Sequence, residues 1–142
     1  MRSHVFVVRD GEILVLQQAS GRGWWEQPGG DLEGDEDGAA AAVRETFEET
    51  GLQIADPELL RTWSYRNADG DAVQCFAYVA EAPDGDVRLS DEHSTYAWMG
   101  VPEYADRYCN ERFDEAAPQY ASFLAGMREN CALFSEWQRA RT

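Results

Sequence analysis

The sequence predicts an α/β domain, and three observations carry that expectation. Residues 37–50 read as a helix with one apolar and one acidic side. Short apolar runs punctuated by Asp-Gly turns read as strands. From Glu115 to Arg139, apolar residues recur at steps of three and four, the period of a core-facing helix. A chain of 142 residues makes one domain, 1–142, large enough for a real core.

In chain order, His4 to Val8 and Ile13 to Leu16 are apolar runs around Arg9-Asp10-Gly11-Glu12, whose Asp-Gly pair signals a hairpin. Ala19 to Gly23 is a polar loop. In 37–50, Asp35 and Asp37 are short acceptors suited to a helix start. Four alanines, Ala39 to Ala42, favour the helix, and Gly51 offers a left-handed stop. Leu59 to Arg66, the turn Asn67-Ala68-Asp69-Gly70 and Ala72 to Ala80 read as a second hairpin. Alternation puts Val73, Cys75, Ala77 and Val79 on one face of its second strand, and Gln74, Phe76, Tyr78 and Ala80 on the other. Thr95 to Met99 is a last short strand and Pro102 to Tyr108 a short helix. The C-terminal stripe is Tyr120, Phe123, Leu124, Met127, Cys131, Phe134 and Trp137.

On a helical wheel, Glu45, Glu48 and Glu49 share an arc of roughly 100°. Ala39, Ala40, Val43, Phe47 and Thr50 take the opposite side and are expected to face the core. Like charges three and four residues apart repel, and Arg44 offsets only part of this. A solvated acidic face is one explanation in so acidic a chain. A divalent cation such as Mg²⁺ or Mn²⁺, which takes hard oxygen ligands, is the other.

The surrounding residues favour the cation. Gly30, Glu36, Arg44, Glu45, Glu48, Glu49, Gly51 and Leu52 fill every fixed position of a pattern that resembles the Nudix box. Its one departure is Thr46, polar where an aliphatic residue is usual. Two flanking segments are similar to Nudix chains as well. Trp25 stands three residues before Pro28-Gly29-Gly30, and Asp91-Glu92-His93 precedes Trp98. The resemblance implies an α/β/α sandwich around a mixed β-sheet, with the box helix on one face and the C-terminal helix on the other.

It also implies hydrolysis of a nucleoside diphosphate linked to another group, dependent on Mg²⁺ or Mn²⁺. The implied metal ligands are Glu48, Glu49 and the Gly30 carbonyl, joined by Glu45 and Glu36. Glu45 is the general-base candidate inside the box, and Glu92 outside it is a base or further ligand. Its alternative is a plain loop acid. Arg44 is expected to orient carboxylates rather than touch substrate. His93 could meet phosphate, but packing against Tyr96 is favoured. Trp24 could stack on a base or be partly buried structure. Gln27 is polar where an apolar residue is frequent, which bears on the base or sugar end of the site. Side motifs for ADP-ribose, dinucleoside polyphosphates, NADH and coenzyme A are not found: Asn67 stands where the first would place a proline, and Tyr65 comes too early for the second. The balance leans to MutT-like action on nucleoside triphosphates. A nucleotide-sensing module without catalysis is the alternative from another class.

Composition narrows the setting. The chain has 27 acidic and 12 basic residues, a net charge of −15, and every basic residue is arginine. That balance shows no basic nucleic-acid footprint, so no nucleic-acid polymer is expected as partner and phosphate binding is expected to be local and metal-mediated. Acidic excess without lysine suits a salt-rich cytoplasm, a GC-rich genome being the competing explanation. No apolar run reaches a membrane span and the N-terminus is too charged for a secretory signal, so a cytoplasmic enzyme is expected, monomeric or homodimeric. Cys75, Cys109 and Cys131 lack metal-ligand spacing and read as reduced thiols.

Overall fold

The structure, a computed structural model, describes residues 1–21, 23–109 and 119–142, without the side chains of 119 and 120. Strands β1 (Arg2–Arg9) and β2 (Glu12–Gln18) form the first hairpin. Its turn places Asp10 at φ 53° and Gly11 at φ 81°, the pair of positive values that a tight two-residue hairpin needs. The hairpin strands pair with each other only next to the turn, at Val8 with Ile13 and Arg9 with Glu12. Beyond that point they diverge. β3 (Trp25–Glu26) pairs with β2, and β4 (Gly29–Asp31) pairs with β1. These two short strands lead the chain towards helix α1 (Gly38–Thr50).

β5 (Glu58–Arg66) and β6 (Ala72–Glu81) form the second hairpin, and β6 joins β1 in parallel. β7 (His93–Met99) returns antiparallel along β2. One parallel pair among antiparallel ones makes the sheet mixed, as expected. Each face of the sheet has its own core. One holds Val5, Val7, Leu14, Leu16 and Tyr78 against Ala42 of α1, Leu52 and Ile54. The other holds Phe6, Ile13, Val15, Cys75 and Val79 against α2 (Val101–Tyr108) and α3 (Gln119–Arg139). The two faces of β6 divide between them as alternation predicts. The α/β/α sandwich is therefore present. Among the described residues, no helix is long and apolar enough to cross a membrane.

Leu124, Met127, Cys131 and Phe134 are buried along α3, as their spacing predicts. Glu115 to Pro118 and the Tyr120 side chain lie outside the described residues. Gly126 lets α3 pack tightly on the β5 side chains, and a Cβ there would sit 2.3 Å from the Trp63 ring. Arg61 clamps the same turn by donating to the Gly126 carbonyl at 2.9 Å. Gly126→Ala is expected to destabilise the fold by about 1–3 kcal/mol through overpacking. Urea denaturation checks this, and an unchanged midpoint counts against it.

The orientation of α1 corrects the helical wheel. Thr50 is buried as expected and Ala39 and Val43 pack partly against the core. Ala40, however, is exposed, and Phe47 is 48% exposed. The face against the sheet is Gly38, Ala41, Ala42, Thr46, Glu49 and Thr50. The cause is close approach. A Cβ at Gly38 would meet the Tyr78 hydroxyl at 2.6 Å, and the Ser3 hydroxyl donates to the Gly38 carbonyl at 2.8 Å. At that separation small side chains fit between helix and sheet, and a phenyl ring does not.

Candidate metal centre and adjoining pocket

The helix that carries the acids is fixed at both ends. Asp37 caps its start, accepting from the Ala40 N–H at 2.8 Å. Gly51 ends it at φ 73° with its N–H on the Phe47 carbonyl. The last turn runs beneath β4, so Glu49 is only 4% exposed although it is ionisable. The Gly29 N–H donates to Glu49 Oε1 at 2.9 Å. Burial, with help from Glu45, Glu26 and Glu92, pushes the Glu49 carboxyl up to about 8 from an ordinary 4.5, against the Gly29 bond. Among the described residues, Glu49 makes no ion pair with a cationic side chain.

Arg44 organises the acids on its own side. Its Nε and Nη2 reach both oxygens of Glu36 at 2.6 and 3.0 Å, and Nη1 reaches Glu45 at 3.0 Å and Glu48 at 3.2 Å. Nη2 also donates to the Asp31 carbonyl at 3.0 Å. The Arg44 bonds hold the Glu36 carboxyl below its usual range, with the Glu33 N–H adding to them. With both oxygens engaged, Glu36 stands with the arginine rather than with the open acids. Burial pushes Glu45 up despite Arg44. Glu45 lies over Gly30, where a Cβ would come 2.7 Å from the Glu45 carboxyl. A side chain at this position would displace the Glu45 carboxyl from where it lies.

Strand β2 brings in groups distant in sequence. It aligns Leu16 with Glu26 of β3 and Gln18 with His93 of β7. His93 Nε2 lies 3.0 Å from Glu26 Oε2, and Gln18 Nε2 donates to Glu26 Oε1 at 2.6 Å. Burial raises the Glu26 carboxyl, but the bonds from His93 and Gln18 outweigh it and hold the group below its usual range. His93 thus binds Glu26. One nitrogen of His93 and one oxygen each of Glu49 and Glu92 lie within 4.8 Å of one another. Glu92 is exposed, and its charge is felt at both Glu45 and Glu49.

A pocket of about 220 Å³ adjoins this cluster through Gln18 and Glu26. Its walls include Trp24, Trp25, Tyr104, Tyr108 and Phe123, with His4 and Gln27 also lining it. Trp25 stacks on Tyr108 at 5.6 Å between ring centres. Trp24 and Gln27 therefore belong to this pocket, while Glu45, Glu49 and Glu92 belong to the acidic cluster. Glu26, not singled out from the sequence, belongs to both. No local pattern marks it, because its partners Gln18 and His93 reach it only through strand pairing.

The donor set fits a divalent cation. Glu49 is a buried carboxyl group with acidic neighbours and, among the described residues, no cationic side chain paired to it, a costly arrangement for protein alone. Carboxylate oxygens are the hard ligands that Mg²⁺, Mn²⁺ and their relatives take.

A mixed sheet between two helical layers, with an acidic cluster where the first hairpin opens, defines a class. The NUDIX domain matches residues 2–124, and the chain belongs to that family. It is 33% identical over 96 residues to a Nudix hydrolase of Bacillus subtilis described as uncharacterized, covering 65% of this chain and 60% of that protein. It is 34% identical over 103 residues to a MutT-like protein of Streptomyces ambofaciens, covering 72% and 64% respectively. The chain thus spans less than two thirds of either relative's length. The crystal structure of an Ap4A hydrolase binary complex from C. elegans superposes with a TM-score of 0.63 at 26% identity, covering 88% of this chain and 97% of that one.

Proposed function

We propose that this protein is a divalent-metal-dependent pyrophosphohydrolase of nucleoside diphosphate derivatives, with nucleoside triphosphates as the favoured substrates. The observation that carries this is Glu49: buried, without an ion-pair partner among the described residues, and with a ligand atom within 4.8 Å of one each from Glu92 and His93. Glu49 and Glu92 would hold the ion, with the Gly30 carbonyl, Glu48 and Glu45 around it. Mg²⁺ or Mn²⁺ bound there supplies charge neutralisation on the phosphate oxygens and a more acidic attacking water. Glu45 would accept the proton of the attacking water as the bond to phosphorus forms and the other phosphate leaves. Its raised pKa brings it nearer the working pH, as a general base requires. Arg44 positions Glu45 and Glu48 and touches no substrate. Trp24 and Gln27 meet the organic end of the substrate in the adjoining pocket.

The likeness to a MutT-like protein supports nucleoside triphosphates, and the small pocket suits one base. The likeness to an Ap4A hydrolase supports dinucleoside polyphosphates as the second reading. The acidic, lysine-free surface favours a cytoplasmic enzyme working at high salt.

The test is product release from a panel of nucleoside triphosphates, dinucleoside polyphosphates and ADP-ribose, with Mg²⁺ or Mn²⁺, at low and molar salt. Nucleoside triphosphates should yield monophosphate and pyrophosphate. Binding without cleavage of any panel member would mean a sensing module instead.

A further inference from the structure

Gln27 is 2% exposed, lines the aromatic pocket, and neither its amide oxygen nor its amide nitrogen has a hydrogen-bond partner among the described residues. Leaving one buried donor or acceptor unmade costs about 1–3 kcal/mol. Phe6, Val7 and Leu16 show that this chain fills buried positions with apolar groups elsewhere. His4 lines the same pocket and its Nδ1 is likewise buried without a partner. Burial, and then the Arg2 charge, lowers His4 to about 3, so it stays neutral at working pH. Within its aromatic walls the pocket therefore holds the uncharged Gln27 and His4 as unpaired polar groups, while Gln18, Glu26 and Arg2 also line it. At about 220 Å³ it is smaller than the roughly 300–1,000 Å³ that enclose a drug-sized ligand, so it takes one end of a molecule.

We propose that Gln27 is a specificity-determining residue whose amide pairs with the edge of a nucleobase held in this pocket. The proposal rests on the hydrolase reading for the direction of the phosphates, but the binding it describes does not require cleavage. An amide offers a donor and an acceptor side by side, the pattern that pairs in bidentate fashion with a base edge. Aromatic side chains add stacking, worth about 1–3 kcal/mol per base and tolerant of sequence. An aliphatic group would use the walls and leave the amide unmade, and a bare sugar lacks the flat face that the aromatic rings stack on.

The test substitutes Gln27→Met, which keeps the length of the side chain and removes the amide. Binding of AMP, GMP, CMP and UMP is measured by calorimetry without divalent ions, with ribose 5-phosphate as the ligand that lacks a base. Wild type should bind at least one monophosphate about tenfold or more tighter than ribose 5-phosphate. Gln27→Met should erase that preference and melt at the same or a higher temperature. A preference kept intact in Gln27→Met overturns the proposal. So does a variant that melts lower or fails to fold, because the amide would then have a structural partner. Loss of cleavage in the substrate panel with this binding pattern intact would count against the hydrolase reading alone.

Discussion

Glu49→Gln is expected to abolish turnover, on the order of a 10³-fold loss in kcat or more, while the fold stays at least as stable as wild type. The stability half follows from protonation. The folded Glu49 pKa of about 8 lies above its ordinary 4.5. Below pH 4.5 the carboxyl is protonated folded and unfolded, and wild type and variant are equal on its account. Between 4.5 and 8 the unfolded chain releases the proton and the folded one keeps it. Over that window the metal-free wild type loses about 1.4 kcal/mol per pH unit. Glutamine has the same shape, still accepts from Gly29 N–H and does not titrate. Thermal melts in chelator should therefore show wild type falling towards pH 8 and the variant flat. A divalent ion should raise wild type at pH 8 and leave the variant unmoved. A variant with near wild-type turnover would remove Glu49 from the ligand set.

Arg44→Lys is expected to lower kcat by about 10–100-fold, the usual cost of losing a group that orients metal ligands. The arginine spends one planar fork on Glu36, Glu45, Glu48 and the Asp31 carbonyl. A lysine ammonium keeps the charge and cannot span those acceptors. Arg44→Ala should go further and release the acids to repel one another. Its melting temperature should drop without divalent ions and recover on adding them by more than wild type gains. Equal melting curves for Arg44→Ala and wild type would show that the fork is not what holds the acids.

The extent to which these groups were legible in sequence divides along one line. Features set by neighbours along the chain were readable. Asp37 and Gly51 cap the helix where their residue types suggest, and the Asp10-Gly11 turn and the α3 stripe fall where expected. Features set by packing across the sheet were not. The wheel grouped Glu49 with the exposed acids, because it knew polarity and not that β4 lies over the last helical turn. It turned Phe47 inward for the same reason, having no measure of how near Gly38 brings the helix to Tyr78. β3 and β4 escaped because strands of two and three residues are too short to show a period, and β4 is two-thirds glycine. Glu26 and His93 are 67 residues apart and meet only because both flank β2.

On the proposed reading, Glu49 is buried where it is in order to hold a divalent cation beside Glu92. Anomalous diffraction from a crystal soaked in Mn²⁺ near pH 8 tests it most directly. A manganese peak within about 2.0–2.6 Å of oxygens from Glu49 and Glu92 is the predicted result. Density with Glu49 still on Gly29 and no manganese beside either carboxylate would contradict it.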